Sequence, residues 1–265
     1  MNSGGSGAAC RPDVSAPWHW QGRGLSLRHS LQSKSTMAAI NRSISTYSRK
    51  LAAAKPDTRL NHEEEFERAW AEPGNTRVEL PPADINLVLA NYYHTNEPLR
   101  FTRTMLWDME VKKAFRPDLY IPSVVSDGSA HYWRRRAAAD GTESFVRSSR
   151  QRLWLKPSEH GLVLEQVFLN PAQQCVTFIG AAELLDKDGN LLRAGERQPL
   201  FHVEHSVDGD ESRPLNHWRI VYLTDRPEQK LIERFALAKD VWLREFVEIY
   251  IRRDLRIELT RRDIF

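Results

Sequence analysis

The chain has 265 residues, of which 41% are apolar and 28% charged, and its formal net charge is +3. Such a composition points to a soluble globular protein with a sizeable core, and no segment offers the roughly 18 consecutive apolar residues of a membrane-spanning helix. Cys10 and Cys175 are too few for a disulfide framework, and basic residues scattered along the chain do not form the concentrated patch that nucleic acid requires.

Residues 1–58 stand apart. They are rich in serine, open with MNSGGSGAAC, and carry only Asp13 and Asp57 as acids, a composition that cannot bury enough surface to order itself. Three readings remain open: a plain disordered tail, a tag or over-extended start with Met37 as the true initiator, or a transit peptide. The last rests on the stretch MAAINRSISTYSRKLAAAK, which lacks acids and is rich in hydroxyl and basic residues. A cytoplasmic location follows from the first two readings, and the mitochondrial matrix from the third.

Residues 59–265 read as a single α+β domain. Asn61 is placed to cap a helix whose first turn, His62-Glu63-Glu64-Glu65, complements the positive end of the helix dipole and which stops near Pro73-Gly74. A second helix is expected over Ala83–Tyr93. Arg100–Met105 reads as a first strand running into a helical stretch from Leu106, which Pro117 and Pro122 break into short pieces. Extended runs follow at Ala130–Arg136, Ser144–Leu155, Leu162–Leu169, Cys175–Leu185 and Leu191–Arg193, with a tight turn at Asp188-Gly189. Pro199–Val207 and Leu215–Thr224 flank the polar loop Asp208–Arg213 as a hairpin. A closing helix from about Pro227 to Arg252 places Leu231, Phe235, Ala238, Trp242, Phe246 and Ile249 on one stripe.

The order of these elements resembles the helix-grip fold of the START and polyketide-cyclase-like (Bet v 1-like) superfamily. The resemblance spans roughly Arg100 to Arg252 and is carried by Thr104-Met105-Leu106-Trp107-Asp108, as first strand into helix, and by the closing helix. It implies a curved antiparallel sheet with the last helix across its mouth, two extra helices in front, and a hydrophobic ligand held between sheet and helix. Some members only carry the ligand and others catalyse cyclisation, dehydration or hydrolysis, so no catalytic residue is transferred. Leading helices also suit the cone-shaped NTF2-like fold.

Alternation along strands selects the candidate site residues. Phe201, Val203, His205 and Val207 share an apolar face, so His205 projects inward as a candidate proton carrier. In the partner strand Trp218, Ile220 and Tyr222 share a face with Asn216, which is placed to orient a ligand or to satisfy His205 within the core. Phe145, Arg147, Ser149, Gln151 and Leu153 form a third such face, where an inward Arg147 needs an anionic or polar partner. Leu162, Leu164, Gln166 and Phe168 make a fourth with one amide, Gln166. Tyr132 and Trp242 complete the expected wall as ligand-binding aromatics. A zinc site from His202, His205 and His217 is disfavoured, since His202 and His205 point to opposite faces, and no metal or other cofactor is expected. Asp108 is the acid noted in the helical stretch.

These residues predict a protein that encloses an aromatic or polyketide-like small molecule. It would act as a cyclase, dehydratase or hydrolase by acid–base chemistry through His205 and Asn216. The alternative is a non-catalytic carrier of lipid or another hydrophobe, and a third reading is an interaction module with a collapsed cavity and a basic face.

Overall fold

The computed structural model describes residues 61–262, apart from the side chains of residues 238–243 in the last long helix. The tail 1–58, and Ala238, Lys239 and Trp242 of the closing helix, therefore lie outside what is described below.

Asn61 caps the first helix, α1 (His62–Ala71), by accepting from the backbone N–H of Glu64. The chain then enters a strand, β1 (Thr76–Asp84), before a second helix, α2 (Ile85–Tyr92), capped by Asp84. A short strand β2 (Tyr93–Thr95) leads to α3 (Arg103–Phe115) and the single turn α4 (Pro117–Tyr120). Eight strands follow: β3 (His131–Ala137), β4 (Glu143–Leu153), β5 (Lys156–Asn170), β6 (Cys175–Ala181), the small hairpin β7 (Glu183–Leu185) and β8 (Leu191–Arg193), then β9 (Phe201–Asp210) and β10 (Arg213–Tyr222). The last helix, α5 (Gln229–Tyr250), ends in a π-helical turn over Ile251–Leu255, and β11 (Leu259–Arg261) pairs with β2.

Seven strands form one antiparallel sheet in the order β1-β10-β9-β6-β5-β4-β3. The first strand thus pairs with the last, and helices after β1 and after β10 fall on one face. That is the topology of the helix-grip fold, as the element order implied.

Three details differ from the sequence reading. The first strand is Thr76–Asp84 rather than Arg100–Met105, which instead begins α3, with the Thr102 hydroxyl accepting from Met105 N–H. The alternation Arg77-Val78-Glu79-Leu80 was masked by Pro81-Pro82, residues tolerated here because β1 is an edge strand with a bulge between Leu80 and Ala83. Only α1 precedes the sheet, because β1 separates it from α2. The run Cys175–Leu185 divides after Ala181, so that β7 and β8 pair around Gly189, whose φ of +87° suits a residue without Cβ.

The sheet is covered on both faces. On the outer face α1 lays Phe66 and Ala69 against Ile179 and Val221. There His202 is fully buried, its Nδ1 accepting from the Gly180 N–H. The inner face carries α2, α3 and α5, whose Ile85, Leu89, Leu106, Met109, Phe235 and Phe246 join Val78, Trp218, Ile220 and Tyr222 in the main core. Hence α2 packs inside the curve.

Candidate functional site

Five residues of α3 face the sheet: Leu106, Met109, Glu110, Lys113 and Ala114. Their spacing is that of a helical stripe, so two charges are built into a buried surface. Lys113 Nζ lies 2.7 Å from Glu110 Oε1. Glu110 also takes the amide of Asn216, with Nδ2 2.7 Å from Oε1, and His205, with Nδ1 3.0 Å from Oε2. Asn216 and His205 come from adjacent strands, in which Trp218 stands opposite His205. One carboxylate therefore gathers a cation, an imidazole and an amide, each from a face that local structure dictates.

Aromatic rings seal the cluster. Trp218 stacks on His205 at 4.2 Å between centroids and on Phe246 of α5 at 5.3 Å. Lys113 Nζ stands 4.3 Å from the Trp218 ring centre and 4.0 Å from that of Phe246, distances at which the ring faces attract a cation. Phe178 meets His205 edge-on at 5.2 Å and carries the Arg147 guanidinium 4.5 Å from its centre. Arg147 pairs with Glu165 at 2.7 Å and donates to the Ala114 carbonyl.

Electrostatics follow from this layout. Burial alone would raise the Glu110 carboxyl, but the Lys113 charge, with the hydrogen bonds from His205 and Lys113, outweighs it and holds the group well below the usual carboxylate range. Burial pulls Lys113 down to about 8 against the opposing pull of Glu110, so the amine is mostly charged at pH 7. Burial, reinforced by Lys113, pulls His205 down to about 4, so the imidazole is neutral there. With an ionised carboxylate on Oε2, Nδ1 must be the protonated nitrogen, which leaves Nε2 as the acceptor.

An acid-stability prediction follows. Both the Glu110 and His205 folded values lie below their unfolded ones, near 4.5 and 6.5, so each contributes stability above its unfolded value that is lost as pH falls. The melting temperature should drop steadily between pH 6.5 and 4, and His205→Gln should flatten the upper part of that fall. Equal slopes in the two proteins, measured by differential scanning calorimetry, would contradict the assignment.

Described side chains occupy much of the space between the sheet and the closing helix, whose residues 238–243 lie outside the described side chains. Phe235 of α5 meets Trp154 at 4.6 Å and Tyr222 at 6.0 Å, and α3 occupies the middle of the curve. The space lies to one side, as a groove of about 500 Å³ between the β1 bulge, α2, β10 and α5. Leu80, Pro81, Leu87, Val88 and Leu215 supply apolar wall, and Asn216, Trp218 and Phe246 form part of the lining that backs onto the charge cluster. Asp84, Arg213 and Arg244 add charge to the wall, with Arg213 paired to Asp84 at 2.8 Å. The bulge explains the opening: Pro81 and Pro82 interrupt the ladder between Leu80↔Trp218 and Ala83↔Asn216.

The sequence-derived residues are thus divided. Asn216 and Trp218 line the groove, while His205 sits behind Trp218. Arg147 on β4, with four strands between it and β1, has its charge met by Glu165 and does not reach the groove. Tyr132 is 44% exposed at the far edge, packed on Phe115 and Phe145. Gln166 lies opposite Ile179 on the face covered by α1, because its neighbour Glu165 takes the inner position beside Arg147. Trp242 is outside the described side chains. Glu110 and Lys113 were missed, although the segment was read as helical from Leu106 and an acid and a base three apart on a helix share a face. Asp108 bonds the Tyr250 hydroxyl and Lys112 near the surface. Among the described residues no group of three or more His, Cys, Asp and Glu is arranged to hold a metal ion, and no helix is long and apolar enough to cross a membrane.

No protein-family model matches the chain, and no curated protein matches it. Among solved structures it is similar to the Zhui aromatase/cyclase of Streptomyces sp. R1128, at 10% identity and a TM-score of 0.41, covering 67% of this chain and 95% of that one. It is also similar to ginseng major latex-like protein 151 from Panax ginseng, at 8% identity and a TM-score of 0.39, over 64% and 97% of the two chains. A START superfamily protein from Mycobacterium smegmatis matches at 12% identity and a TM-score of 0.35, over 58% and 97%.

Proposed function

We propose that this protein binds a small, predominantly apolar molecule in the groove between the β1 bulge, α2 and α5. The observation that carries the reading is a space of about 500 Å³ walled by aliphatic side chains and floored by two stacked aromatic rings. A volume of that order is what a drug-sized ligand occupies. The charged groups behind the lining, Glu110 and Lys113, are paired with each other, so they stiffen the wall and leave apolar contact to provide most of the affinity. Leu87, 55% exposed, stands at the lip of the groove.

A probe without hydrogen-bond donors, 2-methoxynaphthalene, tests this directly. Isothermal titration should give saturable binding near one equivalent. Ala83→Trp, which fills space beside Asn216 without touching the ion pair, should weaken it at least about tenfold. Indifference to Ala83→Trp, or no saturable binding, would remove the groove as the site.

A catalytic reading is favoured by one observation. The Glu110–His205 contact leaves a neutral imidazole with Nε2 as a free acceptor, the form a general base requires. His205 does not itself line the groove, so this reading needs a ligand that displaces the Trp218 ring. Retained turnover in His205→Ala would end it.

A further inference from the structure

Asn216 is 4% exposed and lines the groove, yet only one side of its amide is engaged. Its Nδ2 donates to Glu110 Oε1, the same oxygen that meets Lys113 Nζ. Its Oδ1 accepts from no described residue. An ionised carboxylate accepts hydrogen bonds and donates none. The amide therefore cannot turn over without setting its own oxygen against the negative Glu110. Lys113 and His205 keep that carboxylate charged. Orientation of the Asn216 side chain is thus set from behind, by a chain of buried charge that begins on α3.

We infer that the groove selects apolar ligands bearing a hydrogen-bond donor, a hydroxyl or an N–H, which Asn216 Oδ1 accepts, over otherwise equal ligands that offer only acceptors. This rests on the groove being the binding site, and it names the class of molecule that site takes. A donor completes an amide oxygen that is otherwise left unmatched when the ligand expels water from the groove. An ether, ketone or carboxylate oxygen in the same place would face another acceptor and leave both unpaired. The geometry permits no rescue by amide rotation, because the far side is locked. A ring with a hydroxyl at one end, lying along Trp218 and Phe246, meets both demands of the lining.

The matched pair 2-naphthol and 2-methoxynaphthalene isolates the effect, since the two share a ring system and differ in the donor. Titration of the full chain at pH 7 should show 2-naphthol binding about tenfold more tightly, the consequence of one satisfied against one unsatisfied buried hydrogen bond. In Asn216→Leu the ratio should fall to near one while 2-methoxynaphthalene still binds. Equal affinity of the two probes for the unaltered protein would overturn the inference and leave the groove reading standing. Failure of both probes to bind would take both down. Should Asn216→Leu not fold, the comparison in the unaltered protein still decides, and Glu110→Gln supplies a second variant. Its neutral amide lets Asn216 turn either way, so the preference should shrink. An undiminished preference in a folded Glu110→Gln protein would equally overturn the assignment.

Discussion

Replacing Lys113 with Met should destabilise the fold by about 3–5 kcal/mol, the range for removing one partner of a buried ion pair. Lys113 is 2% exposed and Glu110 is fully buried, so the carboxylate left behind has no water to turn to. The methionine fills most of the aliphatic volume and keeps the contacts with Trp218 and Phe246, which confines the loss to charge. Asn216 and His205 still donate to Glu110, yet neither is a cation at neutral pH. The remedy open to the variant is protonation of Glu110, whose carboxyl should rise above its ordinary value. Urea unfolding at pH 7 measures the loss, and the same experiment at pH 5 should find the gap to the unaltered protein narrowed. A loss under about 1 kcal/mol, the scale of surface pairs, would show that water reaches the cluster.

Trp218→Ala should cost a comparable amount, about 3–5 kcal/mol for a large aromatic removed from a core. Its effect is twofold, since the ring is shared by the cluster and the groove. Deletion removes the ring on which His205 and Phe246 each stack and takes away one of the two faces beside the Lys113 ammonium. It also opens the wall between ligand space and buried charge, so apolar probes should lose at least about tenfold in affinity. Trp218→Phe retains a ring and should recover most of the stability while recovering less of the binding. Full binding by Trp218→Ala would mean that the ring is no part of the site.

Much of the architecture was legible because it rests on periodicity. The α5 stripe from Leu231 to Phe246 and the alternation of Phe201, Val203, His205 and Val207 each show their period within the segment itself. The inward position of His205, and its neighbourhood with Asn216 and Trp218 across one hairpin, follow from that period together with a short connection. What escaped depended on partners distant in the chain. Thr76–Asp84 hides its alternation behind two prolines, and its role appears only when Tyr222 and Trp218 stand beside it. Losing that strand shifted the helix start to Leu106, and although Glu110 and Lys113 lay within the expected helical stretch, the face it turns to the sheet was not identified. Gln166 was put on the wrong face because Leu162, Leu164 and Phe168 look like a core stripe. Of these only Leu164 is fully buried; Phe168 stacks on His62 of α1, and a sheet covered on both sides carries two apolar faces. The groove could not be foreseen at all, since it is a gap left by a bulge, two helices and a sheet edge.

Pairing of the first long strand with the last has a bearing on how the molecule is made. Thr76 waits for Tyr222, and nearly the whole intervening chain must emerge from the ribosome before that edge can close. Contacts of such separation are entropically costly to form early and tend to make folding slow. Until they form, the hairpins of β3 to β6 can assemble locally, whereas the β10 edge stays open to pairing with another nascent chain. The groove borders that final seam, so the capacity to hold a ligand should be acquired last in the life of each new molecule, and a bound hydrophobe would reinforce the join most prone to reopen.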